Sequence, residues 1–290
     1  MPTAHATTAM RTLARGLGFP EAPRWHDGRL WFSDMGLGAV FAVDLDGRLE
    51  RIVEVAGRPG GLGWMPDGRL VVVSMRERRL LREDAPGSRR LVEVARLDDV
   101  APFHCNDLLV DAAGRAYVGN FGFDLAAGDE PRATVLACVH PDGRTAVVAD
   151  ELLFPNGMAL APDGTLIVAE SLGRRLTAFD VGDDGALAGR RSFAATPGLM
   201  PDGICLDAAG ATWVACAATG AVARFGADGA LLTQVASGFP HASACMLGGS
   251  RRRTLLVCVA RTGDEEQAGV TREGAILALD DVDVPGAGLP

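Results

Sequence analysis

Four oxygen-bearing side chains recur at one phase of a repeated phrase in this 290-residue chain. Asn106, Asn156 and Asp202 each stand eight residues before a glycine (Gly114, Gly164, Gly210), and Glu21 stands seven before Gly28. Two carboxylates and two amides make a hard, oxygen-only donor set. Calcium takes about 6–8 such oxygens in irregular geometry, and magnesium and manganese also prefer oxygen. Glu21 and Asp202 carry the two negative charges that neutralise a divalent cation. No His or Cys cluster shares the phase, which argues against a thiolate-rich zinc site. A single Asn-Gly or Asp-Gly does no more than close a turn. Four such residues in phase need a fold that brings them to one point.

The repeat supplies that fold. Asp27-Gly28, Asp67-Gly68, Asp111 to Gly114, Asp163-Gly164 and Asp207 to Gly210 are each followed by a short apolar run. A degenerate sixth copy runs from Gly249 to Val257. The first five glycines are spaced by 40, 46, 50 and 46 residues. Between them lie further hairpin signals around Asp46-Gly47, Asp142-Gly143, Asp184-Gly185 and Asp228-Gly229. Asp-Gly between apolar runs favours a tight hairpin, because glycine accepts positive φ. Each repeat therefore holds two hairpins, or four strands. Six such units predict an all-β, six-bladed β-propeller with antiparallel blades around a central channel; a β-sandwich has no need of six copies of one phrase. The predicted domain spans residues 16–290, with 1–15 an N-terminal extension. No helix of ten or more residues is expected. The segment just before each turn begins the innermost strand, so equal phase means equal depth in the channel.

Composition narrows the function. The net charge of −9 disfavours nucleic acid or an anionic membrane as partner. All 28 basic residues are arginine, which removes lysine Schiff-base and P-loop chemistry. No apolar run approaches the ~20 residues of a membrane helix, and the first fifteen residues have no signal-peptide pattern. The six cysteines are widely spaced and read as buried free thiols. A cytoplasmic monomer or small homo-oligomer acting on a small molecule is expected.

The segments Phe19-Pro20-Glu21-Ala22-Pro23, Asn106-Asp107, Phe154-Pro155-Asn156-Gly157 and Pro201-Asp202-Gly203 resemble the SMP-30/gluconolactonase/luciferin-regenerating-enzyme family. The tail from Gly274 to Gly288 also resembles that family's ending, and the likeness runs from Gly16 onward. It implies a six-bladed propeller with one divalent metal in the channel, calcium first, with magnesium, manganese and zinc as alternatives. By the resemblance Glu21, Asn156 and Asp202 are the metal ligands, Asp202 is also the general base, and Asn106 contacts substrate or metal. Some lactonases of the family carry Arg two residues before this Asn, where this chain has His104. A histidine there, with Phe103, Phe121 and Phe123 nearby, points to a substrate less anionic or less hydroxylated than a sugar-acid lactone.

The function expected is metal-dependent opening of a lactone or related cyclic ester, with the metal as Lewis acid. An arylester or phosphotriester hydrolase on the same scaffold is one alternative; a non-catalytic, metal-stabilised binding propeller is another. No G-x-S-x-G elbow offers a serine nucleophile. His241 reads as a loop residue near the sixth blade's channel entry, and residues 119–131 as an insertion that lengthens the third repeat, with capping of the pocket left open by the sequence.

Overall fold

The computed structural model describes residues 10–289. Six antiparallel sheets of four strands, one with a short fifth strand added, form the predicted six-bladed propeller. The inner strands are Pro20–His26, Pro59–Trp64, Cys105–Val110, Pro155–Leu160, Pro201–Asp207 and His241–Gly248. Each stands at one edge of its sheet, except that Pro201–Asp207 carries the added strand Gly286–Ala287 beyond it, and each is followed by the next strands outward. A middle strand has a neighbouring blade on both faces, so it reads as continuous apolar sequence: Leu70–Ser74 and Thr212–Cys216 are buried throughout. Outer strands such as Leu187–Ala195 face water over most of their length.

The recurrent glycines do what their phrase requires. At Asp27 and Gly28 two successive residues take left-handed φ of 47° and 73°, the pattern of a tight primed hairpin turn. Gly68, Gly114, Gly164 and Gly210 sit at φ between 73° and 87°. A side chain bearing Cβ is strained there.

The ring closes with the chain's first described strand. Arg11–Leu17 pairs with Gly274–Leu279 as the outer strand of blade six. Residues 11–15, read from sequence as part of an extension, therefore belong to the propeller. Their partner lies some 260 residues away in sequence, and the burial of Leu13, Ala14 and Leu17 does not alternate strictly. Residues 1–9 of that extension lie outside the described residues. At the other terminus Gly286–Ala287 pairs with Asp207 and Leu206, and Leu289 bridges Leu160. Both partners end inner strands, so the tail lies across the end of the channel away from the in-phase polar residues.

One short helix, Glu265–Thr271, interrupts the last hairpin of blade six. Asp264 caps it, accepting from Glu266 N at 2.9 Å and Gln267 N at 3.1 Å. Its side chains reach blade two: Glu266 lies 2.6 Å from both Arg58 and Arg76, and Glu265 2.8 Å from Arg76. Gly269 meets Gly36 of blade one backbone to backbone.

Candidate metal and active site

All six inner strands are irregular near their beginning. The pairing register slips between Glu21 and Arg24, Pro59 and Leu62, Cys105 and Leu108, Pro155 and Met158, Pro201 and Ile204, and Ala242 and Ala244. Such bulges re-aim side chains that a regular ladder sends into the blade. Glu21, Asn106, Asn156 and Asp202 sit in or beside four of them. They are 5%, 4%, 7% and 6% exposed respectively.

Hydrogen bonds hold this ring from blade to blade. Ser243 Oγ donates to Pro20 O at 2.7 Å, and Ser33 Oγ to Gly60 O at 2.5 Å. Asn106 Nδ2 donates to Pro155 O at 3.3 Å, and Ser171 Oγ to Pro201 O at 2.7 Å. Asn156 Nδ2 in turn donates to Ser171 Oγ at 3.2 Å. The bonds to Pro20, Pro155 and Pro201 fix the backbone beside Glu21, Asn156 and Asp202 to the neighbouring blade.

The electrostatics are those of crowded negative charge. Burial holds the Glu21 carboxyl well above the usual carboxylate range, and Asp202 and Asp107 push it further. The Ala22 N–H, at 2.7 Å from Glu21 Oε2, and Arg24 act in the opposite direction. Burial likewise raises Asp202, with Asp107 adding to the shift and the Asn156 side chain opposing it. Asp202 Oδ1 is buried without a hydrogen-bond partner. A buried polar atom left unsatisfied is costly, and an unpartnered carboxylate oxygen facing a second carboxylate is a cation's environment. Glu21, Asn156 and Asp202 thus fit a hard divalent ion.

His241 is not in a loop. It opens the inner strand of blade six, and its Nε2 lies 3.9 Å from Asp202 Oδ2, too far for a hydrogen bond. Its ring packs on Phe19, and burial lowers its pKa to about 4, so it is neutral at pH 7. His104 sits half-buried just before the inner strand of blade three. Its ring stacks on Phe103 at 4.1 Å between centroids and meets Phe121 at 6.1 Å. Burial, and then Arg76, lower its pKa. Phe121 stacks on Phe154 at 4.6 Å, and Phe123 meets Phe154 at 6.1 Å. These aromatic rings run from blade three to blade four, beside Asn106 and Asn156. The inserted segment is anchored there through Phe121 and Phe123, while Leu125 further along is exposed.

A sequence profile of the SMP-30/gluconolactonase/LRE-like region matches residues 19–261. The chain belongs to the SMP-30/gluconolactonase/LRE-like family. It is 28% identical to pentonolactonase XacC of Haloferax volcanii, with 98% of this chain and 97% of that protein aligned. A gluconolactonase from Xanthomonas campestris superposes with a TM-score of 0.74 at 28% identity, covering 96% of this chain and 89% of that one. A calcium-binding regucalcin from Agrobacterium tumefaciens has the same fold, with a TM-score of 0.81 at 22% identity and 99% of each chain covered. Family membership thus agrees with the motifs that carried the resemblance in the sequence.

Sequence reading passed over three members of this neighbourhood. Arg24 and Asp107 form a buried ion pair at 3.0 Å, and Ser171 orients Asn156. Arg24 gave no signal of its own because its partner lies two blades away. The helix did leave one: Asp264 three residues before Gln267 is a capping pattern.

Proposed function

We propose that this protein hydrolyses a lactone, using a divalent cation, calcium foremost, held by Glu21, Asn156 and Asp202. The observation that carries this reading is the buried Glu21–Asp202 pair with its unpartnered Asp202 Oδ1, in a chain alignable over nearly its full length with lactonases. When bound, such a cation polarises a carbonyl as a Lewis acid. Asn106 and Asn156 orient the substrate and the donor set. Asp202 takes a proton from water as the water oxygen bonds to the carbonyl carbon. The ring C–O bond then breaks, and the proton passes to the leaving alkoxide, giving a hydroxy acid.

The mouth favours a substrate with an apolar part. Phe103 and Phe121 flank His104, whose pKa burial lowers, Phe154 extends the aromatic row, and polyol hydroxyls buried against such rings lack partners. Six free, buried cysteines fit a reducing, cytoplasmic setting. Hydrolysis of a panel of aldonolactones, alkyl lactones, aryl esters and phosphotriesters, before and after chelation, tests the proposal. Lactone opening lost with chelator and restored by calcium is expected. Turnover indifferent to chelator, or confined to phosphotriesters, overturns it.

A further inference from the structure

The floor of the site holds a third carboxylate and one guanidinium. Arg24, on the inner strand of blade one, donates from Nη2 to Asp107 Oδ1 at 3.0 Å and to Leu108 O at 2.6 Å on blade three, and from Nη1 to Pro23 O at 3.0 Å. Asp107 Oδ1 also accepts from Leu108 N at 2.7 Å. Both side chains are buried. They meet across blade two because that blade has no side chain at this depth. A Cβ at Gly61 would run into Leu108 N and stand 2.7 Å from Asp107 Oδ1; one at Gly60 would stand 2.5 Å from Asn106 O.

Either member of the pair alone would change the charge count of the site, and together they cancel. Glu21, Asp107 and Asp202 repel one another, while Arg24 is the cation among them. Among the described residues no arginine forms a salt bridge with Glu21 or Asp202; the Arg24 guanidinium pairs with Asp107 instead. With a cation bound and all three carboxyls ionised, three carboxylates and one guanidinium carry a formal charge of minus two, buried.

We propose that Arg24 is a positioning residue that cancels the Asp107 charge, so that the site keeps the minus two of Glu21 and Asp202 and stays matched to a single divalent cation. The inference rests on the metal reading above. Removing Arg24 leaves minus three and strengthens cation binding. Removing the Asp107 charge leaves minus one and weakens it. Removing both restores minus two. A unit charge on the order of 10 Å from a divalent cation, at an effective dielectric constant of about 20, changes affinity by roughly a hundredfold, which salt screening brings down toward tenfold. A merely structural role predicts otherwise, because loosening the floor weakens binding whichever partner is lost.

Calorimetric titration of the full chain with calcium alone decides the matter, with each fold checked by circular dichroism. Expected are about tenfold tighter binding for Arg24→Met, about tenfold weaker for Asp107→Asn, and an affinity within about threefold of wild type for the double variant. The ratio of lanthanum to calcium affinity should rise in Arg24→Met. If Arg24→Met does not fold without calcium, the double variant carries the test, since more than tenfold loss there overturns the charge-setting role. Weaker binding by a folded Arg24→Met overturns it as well, leaving the metal reading intact. A wild type that binds no divalent cation overturns both.

Discussion

Asp202 is the residue on which the proposed chemistry turns. Asp202→Asn keeps the volume and removes a negative charge and a proton acceptor. The expected outcome is a folded protein whose kcat/KM on its lactone falls by at least ~10²-fold, the scale of a lost acid–base group; near-normal turnover would remove Asp202 from catalysis. The same substitution has a pH signature in the cation-free protein. The folded-state pKa values of Glu21 and Asp202 are raised, so their contribution to stability is fully present below the unfolded carboxylate values near 4 and is lost as pH rises through the raised ones. Thermal unfolding in chelator should find Asp202→Asn more stable than wild type at pH 8, with the gap closing toward pH 4. A constant gap would mean that burial does not hold the Asp202 carboxyl above its unfolded value. His104→Arg addresses specificity: wild type should prefer an alkyl- or aryl-substituted lactone over an aldonolactone in kcat/KM, and the variant should shift that ratio toward the aldonolactone.

Among the elements, the helix Glu265–Thr271 is the one that leaves the repeat. It touches blade one at Gly36 and blade two through Arg58 and Arg76, with Ala268 buried beneath it. A Cβ at Gly36 would stand 2.9 Å from Gly269 N and 3.0 Å from Gly269 Cα, both backbone atoms that cannot swing aside. Gly36→Ala should therefore displace the helix, at a cost of about 1–3 kcal/mol. Denaturant unfolding measures the loss, and faster amide exchange confined to 265–271 and its contacts locates it. Neutralising Glu266, an exposed ion-pair partner, should change stability by no more than about 1 kcal/mol.

For the whole molecule, closure depends on Arg11–Leu17. That strand covers the outer edge of blade six, and Leu17 is fully buried. A propeller sheet with one strand missing exposes an apolar face and an unpaired edge. Leu17→Ala should cost about 2–5 kcal/mol, and deletion through Leu17 should abolish a single cooperative unfolding transition. A truncated chain that still melts in one sharp step at the wild-type temperature would show that the ring closes without it.

Much of this was written in the sequence, because what fixes it is local. A left-handed turn needs glycine wherever it occurs, so Gly28, Gly68, Gly114, Gly164 and Gly210 announce their hairpins and, by recurrence, the blades. Equal distance from a turn means equal height along a strand, so the sequence alone aligns Asn106, Asn156 and Asp202, with Glu21 one residue nearer its turn. Other features depend on contacts between distant segments. Arg24 finds Asp107 only because Gly60 and Gly61 leave a gap between them. His241 lies beside Asp202 only because blade six follows blade five around the ring. Arg11–Leu17 becomes a blade strand only when the last hairpin presents an edge to it. Turn chemistry and phase are properties of a few consecutive residues, whereas charge balance and closure arise only when the ring brings remote segments to one place.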